Sequence, residues 1–323
     1  MAELKPRSLA GRLAAKLPER RNRRSNRPVG IVLVYHEVAP TQGDWSREVI
    51  PAQGESEFRA QLEYLKRHYE VVPLKELTAR AGARSPGQRL PVALTFDDDL
   101  SCYDSIVAPL LEGYGFPATF FLTGNCLQGP SSFWWQDLQT IIDRGPEAWS
   151  DLRRELANDW PWAGLGGGIH EVAETIEALP RDEHDAVATR LRELAGPDSL
   201  EDGLPAEAIE RIAERGFEIG FHTLRHLLLP PMNGEDLDRG MRDGVDELAA
   251  TTGYRPTTIS YPYGKANLRV AEAAQRAGFE CGVVGGHGAT GPDQHPLLLV
   301  RFSPWTDSLG SFTWNLARVA MAG

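Results

Sequence analysis

From Val29 onward the chain alternates short, β-rich apolar runs with stretches whose apolar residues recur at helical spacing. The runs lie near residues 29–35, 91–96, 117–122, 216–221, 257–262, 279–284 and 297–302, and each predicts a strand. Helical spacing marks 56–68, 104–114, 205–215, 235–250 and 267–277. Strand-then-helix order repeated this often implies parallel strands joined by helical crossovers. Seven or eight such strands suggest a barrel. One stretch, about 133–200, breaks the rhythm with helix and turn signals but no convincing strand. It carries five of the eight tryptophans, Trp134, Trp135, Trp149, Trp160 and Trp162, and reads as a helical insertion on one face of the barrel.

Composition narrows the possibilities. At 323 residues, with 41% hydrophobic and 24% charged positions, the chain is ordinary globular material with a sizeable core. No apolar run approaches the roughly 20 residues of a membrane span, and the N-terminus shows no apolar stretch with a small-residue cleavage site, so the expected location is cytoplasmic. Three scattered cysteines, none in a CxxC pair, exclude a disulfide framework. The net charge is −11, yet residues 1–27 hold nine Lys/Arg against two Glu, a local +7 that leaves −18 for the remainder. The body therefore repels nucleic acid. Residues 1–28 form a basic tail in which Leu9, Leu13 and Leu17 recur every four residues; it is either solvated or a peripheral contact with an anionic membrane surface.

In a parallel barrel the chemistry sits where strands end. His36 follows the first predicted strand; Asp97, Asp98 and Asp99 follow the second; His222 and, four residues on, His226 follow GFEIGF; Tyr263 follows TTISYP; Ser303 and Trp305 follow LLLVRF. Imidazoles at i and i+4 on one helical turn can share an ion. Three adjacent carboxylates at a buried strand end need a cation or donors to compensate them, and helix capping accounts for only one. A carboxylate with two imidazoles makes a three-ligand site that suits Zn²⁺ or another first-row ion and leaves positions open. A neighbouring carboxylate could then deprotonate water, which points to metal-assisted hydrolysis. The string Gly286-x-Gly288-x-x-Gly291 leads into Pro292 and a strand, not a helix, which argues against a dinucleotide site.

At these residues the chain resembles the polysaccharide deacetylase superfamily, the NodB-homology or carbohydrate esterase family 4 group. The resemblance runs through VLVYHEV, LTFDDD, PATFFLTG, HTLRH and SYPYG in the family's order. It implies a distorted (β/α)7-type, TIM-barrel-like domain over 29–323. It also implies Asp97 as catalytic base, Asp98, His222 and His226 as metal ligands, and the Tyr263 backbone N–H as an oxyanion donor. Asp99, His36 and Trp305 are the candidates for substrate contact. The implied substrate is a carbohydrate, an acylated amino sugar that loses its N-acyl, usually N-acetyl, group. A deformylase or amidase acting on a lipid-linked sugar, nucleotide sugar or secondary metabolite is one alternative, and a non-catalytic sugar-binding relative another. The chain departs from the pattern in three ways. Asp99 stands where most members have Gly, in a turn expected to be left-handed; Ser260 stands where many have an Arg that pairs with the base; and no His accompanies the last strand, leaving His287 and His295 as substitutes for the general acid.

Overall fold

The computed structural model describes residues 27–128, 133–164, 167–196 and 203–322; the basic tail anticipated at 1–28 lies almost entirely outside them. Ten strands occur among the described residues: β1 (Ile31–Tyr35), β2 (Val38–Ala39), β3 (Gln53–Gly54), β4 (Tyr69–Val71), β5 (Leu90–Asp97), β6 (Thr119–Leu122), β7 (Glu218–Phe221), β8 (Thr258–Ser260), β9 (Cys281–Gly285) and β10 (Leu299–Phe302). Seven close a parallel ring in the order β1, β10, β9, β8, β7, β6, β5 and back to β1. These seven are the runs expected from the apolar pattern. Covered on both faces, they read as nearly continuous apolar sequence: IVLVY of β1 and LPVALTFD of β5 are buried throughout.

The ring is distorted by β4. Val92 of β5 pairs with Ile31 on one edge and Val71 on the other, while Thr95 pairs with Val34 and Thr119. So β4 and β6 share one edge of β5 at different heights. The short β2–β3 ladder stands apart from the barrel.

Two helices depart from expectation for local reasons. The 104–114 segment begins as a π-helical turn (Tyr103–Val107) before the α-helix Ala108–Tyr114. Pro109 has no N–H to return to the Ser105 carbonyl, which breaks the regular ladder. The 235–250 segment is two helices, Gly234–Gly240 and Val245–Thr252, because Gly244 between them takes φ 89°. The pattern also passed over two helices, Leu77–Ala83 and Leu309–Ala322.

Among its described residues the insertion has four α-helices, Trp134–Asp143, Pro146–Asp159, Ile169–Glu177 and Arg181–Ala195. They bury an apolar cluster of their own, with Trp134, Trp135, Leu138, Ile176 and Leu191 among its members. Inside it the buried Asp137 carboxylate lies 3.2 Å from Arg192 Nη1. Tyr263 of the barrel packs against this cluster, so the insertion roofs the strand ends. Among the described residues no helix is long and apolar enough to cross a membrane.

Close packing beneath the site gives a first test. A Cβ added to Gly220 of β7 would stand 2.4 Å from Phe121 Cδ1 and 2.6 Å from Thr258 Oγ1, groups on the two flanking strands. Gly220→Ala should therefore cost about 1–3 kcal/mol by overpacking, read as a lower denaturant midpoint; an unchanged midpoint would contradict this packing.

Candidate metal centre

Most of the groups singled out at strand ends face the same mouth of the barrel, but not to the same purpose. Asp97 closes β5 and Asp98 follows it; His222 follows β7 and Tyr263 follows β8. Asp97, Asp98, His222, His226, Tyr263 and His36 all border one cavity of about 680 Å³.

Asp98, His222 and His226 converge. His222 Nε2 lies 3.6 Å and His226 Nε2 3.7 Å from Asp98 Oδ1, and the two ring nitrogens are 3.1 Å apart. An ion about 2.1 Å from each donor at tetrahedral vertices would set them roughly 3.4 Å apart. All three side chains are buried, and Asp98 Oδ1 has no hydrogen-bond partner among the described residues. An orphaned carboxylate oxygen beside two imidazole nitrogens is a donor set that fits a divalent cation. His222 Nδ1 bonds the Ser260 carbonyl at 2.8 Å, which fixes its ring and aims Nε2 inward. Burial, with the neighbouring Asp97 and Asp99 carboxylates, pushes Asp98 well above the ordinary carboxylate range. Burial pulls both imidazoles down, His226 well below its ordinary value with His222 adding to the effect. A cation between them would favour the ionised carboxylate, so loading should release a proton.

The local backbone differs from the helical turn expected at HTLRH. Residues 222–226 form a tight turn in which Thr223 has φ 58° and His226 φ 46°, with the His226 N–H donating to the Thr223 carbonyl at 3.2 Å. Among the described residues only four non-glycine positions have positive φ: Asp98, Thr223, His226 and Tyr263. All four belong to this site, and each conformation costs energy that surrounding structure must hold in place.

The three aspartates have three different partners. Asp97 is bonded bidentately by a residue that the apolar pattern concealed: Arg301, inside β10. Arg301 Nη1 donates to Asp97 Oδ1 at 2.7 Å and Nη2 to Oδ2. Nη2 also donates to Ser260 Oγ at 2.6 Å, which in turn donates to Asp97 Oδ2 at 3.0 Å. Ser260 therefore does not leave Asp97 without a guanidinium; the charge arrives from another strand. Burial would raise Asp97, but Arg301, His222 and His36 together hold it below the usual carboxylate range. The Tyr103 hydroxyl donates to the Asp97 carbonyl and pins the strand end.

Asp99 needs correction on both counts. It is Asp98 that takes the left-handed conformation, φ 74°. The Asp99 carboxylate is not free for a substrate: it accepts from Thr123 N–H at 2.8 Å and Thr123 Oγ1 at 2.5 Å, tying β5 to the end of β6. Trp305 lies in an adjoining pocket of about 250 Å³ with Trp45 and His36, and its Nε1 donates to the Ala52 carbonyl at 3.1 Å. His36, half-buried at both pockets, is pushed down to about 4 by burial. His287 borders the main cavity, whereas His295 Nδ1 accepts from the Leu297 N–H in a local turn. The insertion adds Trp134, whose Nε1 donates to the Tyr263 hydroxyl at 3.1 Å, and Trp135, whose ring centroid is 4.8 Å from that of His226.

A polysaccharide deacetylase family profile matches residues 84–155 and 182–282, more than half of the chain. YxkH of Bacillus subtilis strain 168, whose name refers to the same family, is 32% identical over 103 residues. That alignment spans 31% of this chain and 37% of YxkH, little more than a third of the relative's length. Among solved structures, the Streptococcus pyogenes deacetylase PplD in complex with acetate superposes with a TM-score of 0.60 at 16% identity, over 90% of this chain and 98% of that one. IcaB from Ammonifex degensii gives 0.55 at 18%, over 91% and 97%. A de-N-acetylase from Aggregatibacter actinomycetemcomitans gives 0.53 at 13%, over 85% and 94%. At such identities these likenesses concern the fold.

Two measurements probe the centre. His226→Ala should weaken divalent-metal binding by more than about 100-fold, beyond the loss typical of an outer partner, and metal analysis after dialysis reads it; undiminished metal content would contradict the ligand set. Arg301→Met should cost about 3–5 kcal/mol at neutral pH by stranding a buried carboxylate. Because Asp97 is held below its unfolded value, the ion pair stabilises fully above that value, about 3.9. The gap between wild type and variant should therefore shrink as pH falls below about 4 in denaturant titrations; a pH-independent gap would contradict the pairing.

Proposed function

The chain belongs to the polysaccharide deacetylase family, and from that premise we propose that it is a metal-dependent hydrolase that removes an N-acyl group, most readily N-acetyl, from an amino sugar. The observation that carries this reading is the pairing of two differently tuned carboxylates at the end of β5: Asp98 beside two imidazole nitrogens, Asp97 beside a guanidinium.

A divalent ion held by Asp98, His222 and His226, for which we favour Zn²⁺ on the mixed N/O donors, would supply Lewis acidity toward a water and the acyl oxygen. Asp97 accepts the proton of the attacking water. Arg301 and Ser260 fix its carboxylate in one orientation, and pinning it ionised keeps it competent as a base at neutral pH. The Tyr263 amide, on its left-handed residue, donates to the oxyanion that forms as water adds. Trp134 steadies the Tyr263 ring, and Trp135 walls the His226 side against bulk water. Collapse of the tetrahedral intermediate breaks the C–N bond and gives a carboxylic acid and a free amine.

The guanidinium of Arg301 also bears on the alternative of a non-catalytic sugar-binding relative. The bidentate arginine holds the buried carboxylate ionised and in one orientation, both of which a general base requires. Release of acetate or formate from a panel of N-acylated amino sugars tests the activity directly. Asp97→Asn should retain metal yet lower kcat by at least about 10²–10⁴-fold; full turnover in that variant, or loss of its metal, would defeat the assignment of the base.

A further inference from the structure

Breaking an amide C–N bond requires a proton for the departing nitrogen, and β10 ends at Phe302, followed by Ser303, with no imidazole there. The groups that border the cavity and could carry that proton are His36, His170, Glu174, Glu177, Tyr263 and His287. Most are poorly suited. His36, pushed down to about 4 by burial, has no proton to spare at neutral pH. Burial holds the Tyr263 hydroxyl above its ordinary value. The His170 Nε2 is engaged by the Trp45 carbonyl at 2.7 Å, with the two rings stacked 4.5 Å apart. His287 is exposed to solvent and Glu174 is exposed on the insertion.

Glu177 differs. It is the last residue of the helix Ile169–Glu177, half-buried where the insertion roofs the cavity. We infer that Glu177 is the general acid of this site, donated by the insertion in place of the missing imidazole; the inference rests on the hydrolase reading above. A helix C-terminus disfavours a negative charge. Burial and, one turn earlier, the Glu174 carboxylate push Glu177 up to about 7, against the opposing charge of Lys265. His184 and Arg181 border the pocket on the other side of Glu177, and Arg181 faces Asp185 and Asp236 at 3.9 and 3.7 Å. Tyr263 is close enough for the Glu177 charge to bear on its hydroxyl. An acid whose pKa lies near the working pH both holds its proton and gives it up readily.

The protons balance. Asp97 takes one from the attacking water, and the Glu177 O–H gives one to the amine nitrogen as the C–N electron pair settles there. Solvent then carries the proton of Asp97 away and restores that of Glu177. Amide and water become carboxylic acid and amine.

The leaving group separates this role from a structural one. An N-acetylated amino sugar must expel an amine, whereas 4-nitrophenyl acetate expels a phenolate that leaves unprotonated. Glu177→Gln should lower kcat on the sugar amide by about 10²–10⁴-fold and leave ester hydrolysis within a few-fold of wild type, and Glu177→Asp should recover part of the amide activity. Equal losses on both substrates, no loss on either, or the amide-selective loss in His287→Ala instead would overturn it. A wild type inert on both substrates would remove the hydrolase reading itself, which distinguishes that failure from failure of Glu177 alone. Independently of activity, the ¹³C resonance of the Glu177 carboxyl, assigned by its loss in Glu177→Gln, should titrate at about 7; a midpoint in the ordinary glutamate range near 4.3 would overturn the assignment.

Discussion

Three consecutive carboxylates buried at the end of one barrel strand are the constraint around which the rest is arranged. Asp97, Asp98 and Asp99 are all at most 5% exposed, and buried anions left side by side without compensation would be prohibitively costly. Each is compensated differently. Arg301 crosses from β10 to pair with Asp97, two donors of Thr123 satisfy Asp99, and Asp98 is left facing two imidazoles with one oxygen unpartnered. The division follows from geometry. The left-handed turn at Asp98 sends it away from its neighbours, toward the ends of other strands. The donor set of Asp98, His222 and His226 fits a divalent cation as that compensation.

Among the described residues, left-handed backbone at non-glycine positions is confined to this site. Four non-glycine residues in left-handed backbone, two of them metal-ligand candidates and one the proposed oxyanion donor, would be a liability on a loose scaffold. Here they sit where parallel strands of a closed ring converge, tied by the Tyr103 hydroxyl to Asp97 and by the Ser260 carbonyl to His222. The insertion contributes by packing a second apolar cluster over the mouth, so that Trp134 and Trp135 confine Tyr263 and His226. A rigid ring holds the candidate reacting groups, and a separately packed roof stands over them.

The barrel was legible because both faces of its strands are covered, which writes each one as an unbroken apolar run. The candidate ligand set was legible because Asp98 and His222 stand just past the ends of such runs and His226 four residues further on. Arg301 was hidden for the same reason. LLLVRF reads as another buried strand, and the informative signal was the charge itself: an arginine inside a buried run needs a buried anion, and the only aspartate cluster lay at another strand's end. Asp99 misled because its partner, Thr123, lies 24 residues away, just past the next strand. The i, i+4 spacing of His222 and His226 suggested a helical turn, whereas left-handed Thr223 and His226 bring the rings together by another route. Glu177 carries no motif. Its role depends on how the insertion folds over the barrel, and no periodicity in the chain encodes that.

X-ray absorption at the edge of a bound divalent metal tests the central claim most directly, because it counts the atoms around the ion. The account predicts two imidazole nitrogens, with the outer scattering of their rings, and carboxylate oxygen at about 2.0–2.2 Å. A spectrum without imidazole scattering, or one dominated by sulfur near 2.3 Å, would contradict it.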